Sequence, residues 1–192
     1  MQLSVAGRVA LITGGSKGLG LAMAQAFAAA GGAVAIVARG AESLAAAEAG
    51  IKAATPGAQV AAISADIGTA AGCEAAFAEA EAKLGKVDIL INNAGTSQRG
   101  PFLEVTDALW QNDLDLKLFA AIRLGRLVWP GMQSRRWGRI INVLNTGAKA
   151  PPAEGTHRRL PRRRHGPDQG PGQRGCEAQH PGQCHAGRAD RQ

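Results

Sequence analysis

An apolar run at residues 8–13 (RVALIT) passes without a spacer into Thr13-Gly14-Gly15-Ser16-Lys17-Gly18-Leu19-Gly20, and an alanine-rich segment follows at once. Strand, glycine turn and helix in immediate succession constrain the fold more than any other feature of the chain. Glycine in such a turn has three physical uses: it permits a tight bend, lets backbone approach a bound pyrophosphate, and lets the helix pack closely on the strand. The helix start offers free N–H groups and the positive end of its dipole, so an anion is expected there. The spacing is not that of a Walker phosphate loop, which needs Gly-Lys-Ser/Thr after four spacer residues.

The alternation continues beyond this unit. Apolar runs at residues 33–38 (AVAIVA), 59–64 (QVAAIS), 87–91 (VDILI) and 139–144 (RIINVL) predict four more strands. Their nearly continuous apolar character suits parallel strands covered on both faces. Segments of helical period lie between them at 19–30, 42–54, 70–84 and 107–136, with Gly31-Gly32, Pro56 and Gly85 as stops and Thr106 as a cap. Such alternation implies crossover connections and an α/β, doubly wound parallel sheet. No run approaches the roughly 18 apolar residues of a membrane span. The first residues also lack a basic stretch ahead of an apolar core, so no membrane partner and a cytoplasmic location are expected.

Composition changes at about residue 151. Residues 151–192 hold eight arginines, four acids and all four histidines, but Leu160 is the single large apolar residue among them. This tail cannot bury enough apolar surface to offset the entropy of ordering it. The expected organisation is therefore a partial folded domain over 1–150 and a disordered Arg/Pro/Gly-rich tail over 151–192. Much of the chain's net charge of +7 sits in that tail. Its LPRRRHG stretch lacks aromatic residues for stacking, so no specific nucleic-acid partner is expected. Cys176, His180, Cys184 and His185 have metal-ligand chemistry without the apolar framework of a structural zinc site, so no metal is expected. With Cys73 alone in the body, a disulfide framework is not expected either.

Four motifs, in order, resemble the short-chain dehydrogenase/reductase family. They are Thr-Gly-x-x-x-Gly-x-Gly at Thr13–Gly20, Asp66 after the third strand, Asn92-Asn93-Ala94-Gly95 after the fourth, and Gly138-Arg139-Ile140-Ile141-Asn142-Val143 opening the fifth. The resemblance implies a Rossmann-type sheet, incomplete at its C-terminal side, with dinucleotide binding by residues 1–150. It further implies hydride transfer between a nicotinamide coenzyme and a small carbonyl or alcohol substrate, in a family that is typically homo-oligomeric. By resemblance Thr13, Gly14, Ser16, Lys17, Gly18, Leu19 and Gly20 form the phosphate loop. Asp66 and Ile67 then meet the adenine, and Asn93, Ala94 and Gly95 line the adenosine side. Where an acid at the end of the second strand would favour a ribose diol, this chain has Ala38-Arg39. With Lys17 as a second cation, a 2′-phosphate gains charge-assisted hydrogen bonds, so NADP(H) is favoured and NAD(H) is the alternative.

The family's catalytic pattern is not reproduced. Its general acid is a Tyr, assisted by a Lys four residues later, because an unassisted phenol near pKa 10 moves protons poorly at neutral pH. This chain contains no tyrosine. Counting from Asn142, the position of the family's Ser falls on Asn145 and that of its Asn on Lys117. Asn145 can still donate to a carbonyl oxygen, and Lys117 can supply charge. The candidate catalytic residues are therefore Asn145 and Lys117, and the alternative function is nucleotide binding without turnover. Shifting the frame by one base from Thr156 permits an alanine-rich helix and a further strand. The sequence is accordingly expected to be a truncated or frameshifted family member after about residue 155, with the family's oligomer interface lost.

Overall fold

Each apolar run supplies a strand of one sheet. The computed structural model describes residues 4–96 and 101–144. The strands are β1 (Val9–Thr13), β2 (Ala33–Ala38), β3 (Val60–Ser64), β4 (Ile89–Asn92) and β5 (Arg139–Asn142), and the helices are α1 (Gly18–Ala29), α2 (Ala41–Ala54), α3 (Ala70–Leu84), α4 (Asp107–Leu114) and α5 (Ala120–Ser134). The order across the sheet is β3-β2-β1-β4-β5, with every neighbouring pair parallel. Ile12 on the central strand pairs with Ile36 on one side and Ile91 on the other. This is the Rossmann-type doubly wound arrangement that the sequence implied.

Side-chain alternation explains why the strands are apolar without interruption. Ala10, Ile12, Val34, Ile36, Ile89 and Ile91 face α1 and α2, while Leu11, Val37, Ile63 and Leu90 face α3 and α5. Both faces are therefore dry, and polar side chains appear on the central strands only at their carboxyl ends, as Thr13 and Asn92. Alanines at the helix contacts, such as Ala24, Ala28, Ala76 and Ala80, let the helices lie close to the sheet. Each fully buried Leu or Ile contributes about 1.5–3 kcal/mol over its exposed state. The expected punctuation is realised too. Thr106 caps α4 by accepting from Leu109 N–H at 3.4 Å, and Gly85 ends α3 with φ +81°.

The predicted helix over 107–136 is not continuous. A π-turn at Asp115–Phe119 separates α4 from α5. Side chains flank this wide turn: the Gln111 amide donates to Asp115 Oδ2 at 2.8 Å, and Arg123 donates to Asp115 Oδ1 at 2.9 Å. One residue inserted into a helical ladder turns everything after it by about 100°. The insertion sets the phase in which Leu124, Val128 and Met132 reach the sheet.

The fourth run enters its ladder two residues later than predicted. Asp88, fully buried, takes the Val9 N–H on Oδ2 at 3.2 Å and faces Lys86 at 3.1 Å and Arg135 at 3.4 Å. On the far edge, all four residues of β5 are exposed, Ile141 by 45%. Among the described residues no helix is long and apolar enough to cross a membrane. The expectations placed on 145–192, including the tail, its boundary and the change of frame, lie outside the described residues.

Candidate functional site

The strand order reverses between β1 and β4. Connections leave these two strands toward opposite faces, so their carboxyl ends splay and open a crevice. Here that crevice encloses about 580 Å³, within the range of small-molecule sites. Thr13, Leu19, Asn93, Gly95, Lys117 and Asn142 are among the residues lining it.

Thr13 and Asn93 fasten the two sides of the crevice together. The Thr13 hydroxyl accepts from the backbone N–H groups of Asn93 and Ala94, both at 3.0 Å, and donates to Ile91 O at 3.3 Å. In return the Asn93 amide donates to the carbonyls of Thr13 at 3.0 Å and Gly14 at 3.3 Å. The glycine loop is held from below as well, where the N–H groups of Gly14 and Gly15 both donate to Val37 O.

Gly20 is needed for this closeness: a Cβ there would strike the Gly14 carbonyl and come within 2.6 Å of Asn93 Nδ2. Gly18 is needed for a different reason. It starts α1 at φ +54°, and a Cβ added to it would meet nothing within 4 Å. The loop is thus tight beneath and open above. Leu21 N–H is the first to close a helical bond, to Lys17 O, so the amides of Gly18, Leu19 and Gly20 have no acceptor within the helix. Lys17 is extended at the N-cap and makes no side-chain cap. The result is a cradle of amide hydrogens at a positive helix end, with Ser16 half-buried beside it and Leu19 60% exposed over the crevice. Such a cradle suits a phosphate.

The remaining expected residues spread along the carboxyl edge. Arg39 is exposed just beyond β2, and its carbonyl accepts from Ser64 Oγ at 3.2 Å. Asp66 is exposed beyond β3, with Oδ1 accepting Gly68 N–H at 3.0 Å, while Ile67 is buried and reaches the crevice. Arg123 ties α5 to this loop by donating to Gly68 O at 2.9 Å. Asparagines also join the strands on the other side, where Asn92 Nδ2 donates to Asn142 Oδ1 at 2.9 Å. Lys117 enters the crevice from the π-turn, and its Cε would lie 3.7 Å from a Cβ built on Gly95. Asn145, the other candidate catalytic residue, lies outside the described residues.

Sequence reasoning missed Asp113. It is 95% buried on α4, and its carboxylate takes the Lys117 ammonium on Oδ1 at 2.6 Å and on Oδ2 at 2.9 Å. The signal was present as an acid four residues ahead of a lysine, a spacing that reads as a surface pair until the helix phase is known. Nearby charges are ordered as well. The Gln111 amide, and then the Arg123 guanidinium, hold the Asp115 carboxyl below its ordinary range. Burial pushes the Cys73 thiol up, so this cysteine is a core residue rather than a nucleophile.

The sequence pattern of the short chain dehydrogenases matches residues 8–157. The chain belongs to the short-chain dehydrogenase family. Similar short-chain dehydrogenases include the D-beta-hydroxybutyrate dehydrogenase of Cupriavidus necator, 37% identical over 140 residues that make up 73% of this chain and 54% of the relative. Among solved structures, L-sorbose reductase from Gluconobacter frateurii, complexed with NADPH and L-sorbose, matches with a TM-score of 0.78 at 36% identity, over 82% of this chain and 59% of that one. An NADPH-bound short chain oxidoreductase from Pseudomonas aeruginosa PAO1, described as containing an atypical catalytic center, matches with a TM-score of 0.75 at 36% identity, over 80% of this chain and 60% of that one. The chain spans about half the length of the curated relatives it matches.

Proposed function

We propose that this chain binds NADP(H) across the β1–β4 crevice and serves hydride transfer between that coenzyme and a small carbonyl or alcohol substrate. The observation that carries this reading is the glycine loop itself. It presents three amides without a helical acceptor, with open space around Gly18, and Gly20 and Asn93 fix the loop from below. The residues present fit a dinucleotide: amides for the pyrophosphate, Arg39 and Lys17 for a 2′-phosphate, and Asp66 and Ile67 for the adenine. The NADPH found in L-sorbose reductase and in the Pseudomonas oxidoreductase supports the same assignment. NAD(H) is the weaker fit, because no acid stands at Arg39 to accept bonds from a ribose diol.

When bound, the coenzyme supplies or takes the hydride. The chain contributes position and charge. Lys117 brings a cation to the part of the crevice beside Gly95 and Asn142 and can hold or donate a proton at Nζ. Asn145 is assigned, from its sequence position, to donate a hydrogen bond to the substrate oxygen. A second reading, nucleotide binding without turnover, is favoured by one observation, the absence of any tyrosine in the sequence.

Two measurements separate these readings. NADPH fluorescence titration of the purified chain tests binding, and a panel of ketones, ketoacyl esters and ketoses tests oxidation of bound NADPH. Turnover that is lost on Asn145→Ala supports the oxidoreductase. Saturable binding with no oxidation across the panel leaves the binding protein. A folded chain that binds neither NADPH nor NADH overturns both.

A further inference from the structure

The loop that leaves β3 is held at three consecutive carbonyls, and the holds differ in origin. Asp66 O accepts from Thr69, through N–H at 3.2 Å and Oγ at 3.0 Å, and Ile67 O accepts from Cys73 Sγ at 3.2 Å. Both of these donor residues are local, at the cap and in the first turn of α3. Gly68 O instead accepts from Arg123 Nη1 at 2.9 Å, fifty-five residues away on α5. The same guanidinium donates through Nη2 to Asp115 Oδ1 at 2.9 Å on the π-turn, and its carbon lies 5.4 Å from the centroid of the Phe119 ring. A partly exposed ion pair such as Arg123 with Asp115 contributes little stability, so the bond to Gly68 is the more informative of the two.

Gly68 is also the residue that orients Asp66. Its N–H donates to Asp66 Oδ1 at 3.0 Å, and a Cβ built on it would lie 3.2 Å from the same oxygen. Glycine has the widest backbone freedom of any residue, so a glycine that aims a side chain needs an anchor of its own. Arg123 is that anchor: hydrogen bonds run from the guanidinium to the Gly68 carbonyl, and from the Gly68 amide to the exposed carboxylate of Asp66. Resting on the coenzyme reading above, we infer that Arg123 is the positioning residue for adenine readout, acting through Gly68 on Asp66. An ionised carboxylate only accepts, so it pairs with the amino group of adenine and opposes the carbonyl that hypoxanthine carries at the same ring position. The choice is sharp only when the carboxylate is ordered before the ligand arrives, and the Gly68 N–H with the guanidinium behind it provides that order.

The test reads a ratio of affinities. The full chain is titrated calorimetrically with NADPH and with its hypoxanthine analogue, in which a carbonyl replaces the amino group of the base. The wild type is expected to prefer NADPH by about tenfold or more, the effect of one hydrogen bond to a charged group. Arg123→Met leaves Gly68 unanchored and is expected to bring that preference below about threefold, mainly by weakening NADPH. Arg123→Lys keeps the charge opposite Asp115 but lacks the fork that reaches both partners at once, so it is expected to lower the preference as well. In an Asp66→Ala background, where the carboxylate is gone, Arg123→Met is expected to alter neither affinity by more than about twofold. Both ligands meet the same preparation, so partial unfolding reduces the number of binding sites and leaves the ratio untouched. A preference kept at its wild-type value in either Arg123 variant overturns the inference, as does an Arg123→Met effect of equal size with and without Asp66. A wild type that binds NADPH and the hypoxanthine analogue equally overturns it too while leaving the coenzyme reading in place, whereas one that binds neither overturns that reading first.

Discussion

Thr13 and Asn93, eighty residues apart in sequence, exchange hydrogen bonds in both directions across the β1–β4 switch point. One hydroxyl oxygen receives two backbone N–H groups, and one amide returns bonds to two carbonyls, which fixes where the glycine loop stands relative to β4. Thr13→Val keeps the shape and removes the acceptor, leaving two amides without their partner. The expected cost is about 1–3 kcal/mol in urea unfolding, with Thr13→Ser recovering most of it. Equal stability of the Val and Ser variants would show that the hydroxyl does not organise the switch point.

Glycine-to-alanine changes should have opposite signs at two positions. At Gly20 a Cβ would strike the Gly14 carbonyl, so the loop must shift away from Asn93. At Gly50, in α2, a Cβ would meet nothing within 4 Å. Gly20→Ala is expected to destabilise by more than about 1 kcal/mol and to abolish NADPH binding, while Gly50→Ala stabilises by about 0.5–1 kcal/mol through helix propensity. Paired thermal melts and NADPH titrations check both. If Gly20→Ala kept full affinity for NADPH, close packing at Gly20 would not be what forms the cradle.

Coenzyme choice should turn on Arg39, exposed at the end of β2. A hydrogen bond to a charged group contributes about 1.5–3 kcal/mol, so Arg39→Ala is expected to weaken NADPH roughly tenfold or more with little change for NADH. Arg39→Asp goes further, because the new carboxylate accepts from a ribose diol and repels a 2′-phosphate. Competition of NADPH and NADH for each variant reads the ratio directly. An unchanged ratio would assign Arg39 to the solvated surface and leave selection to Lys17.

The strands were legible because burial on both faces leaves an unbroken apolar run, and Ile36 or Leu90 could have gone nowhere else. The glycine loop was legible because turn geometry and phosphate approach demand glycine at fixed offsets. What the pattern did not reveal was helix phase. The π-turn at Asp115–Phe119 shifts the ladder by one residue, and no periodicity rule marks where such an insertion falls. Asp113 was hidden by the same cause: without the phase, an acid and a lysine four apart look like a solvated pair, whereas the structure turns them into the crevice.

Acid should loosen that same π-turn. The Gln111 amide and the Arg123 guanidinium both bond the Asp115 carboxylate and hold its pKa below the ordinary carboxyl value. A group whose folded pKa is depressed contributes stability that is fully present above its unfolded pKa, about 3.9 for Asp, and that is lost as pH falls through the lower folded value. Asp115→Asn removes the carboxylate at every pH. The thermal midpoints of wild type and Asp115→Asn should therefore differ most at about pH 6 and converge as the solution is taken to about pH 3 and below, the window in which the wild-type carboxyl gains its proton. A gap that stays constant over that range would mean that the amide and guanidinium contacts hold the turn regardless of the charge on residue 115.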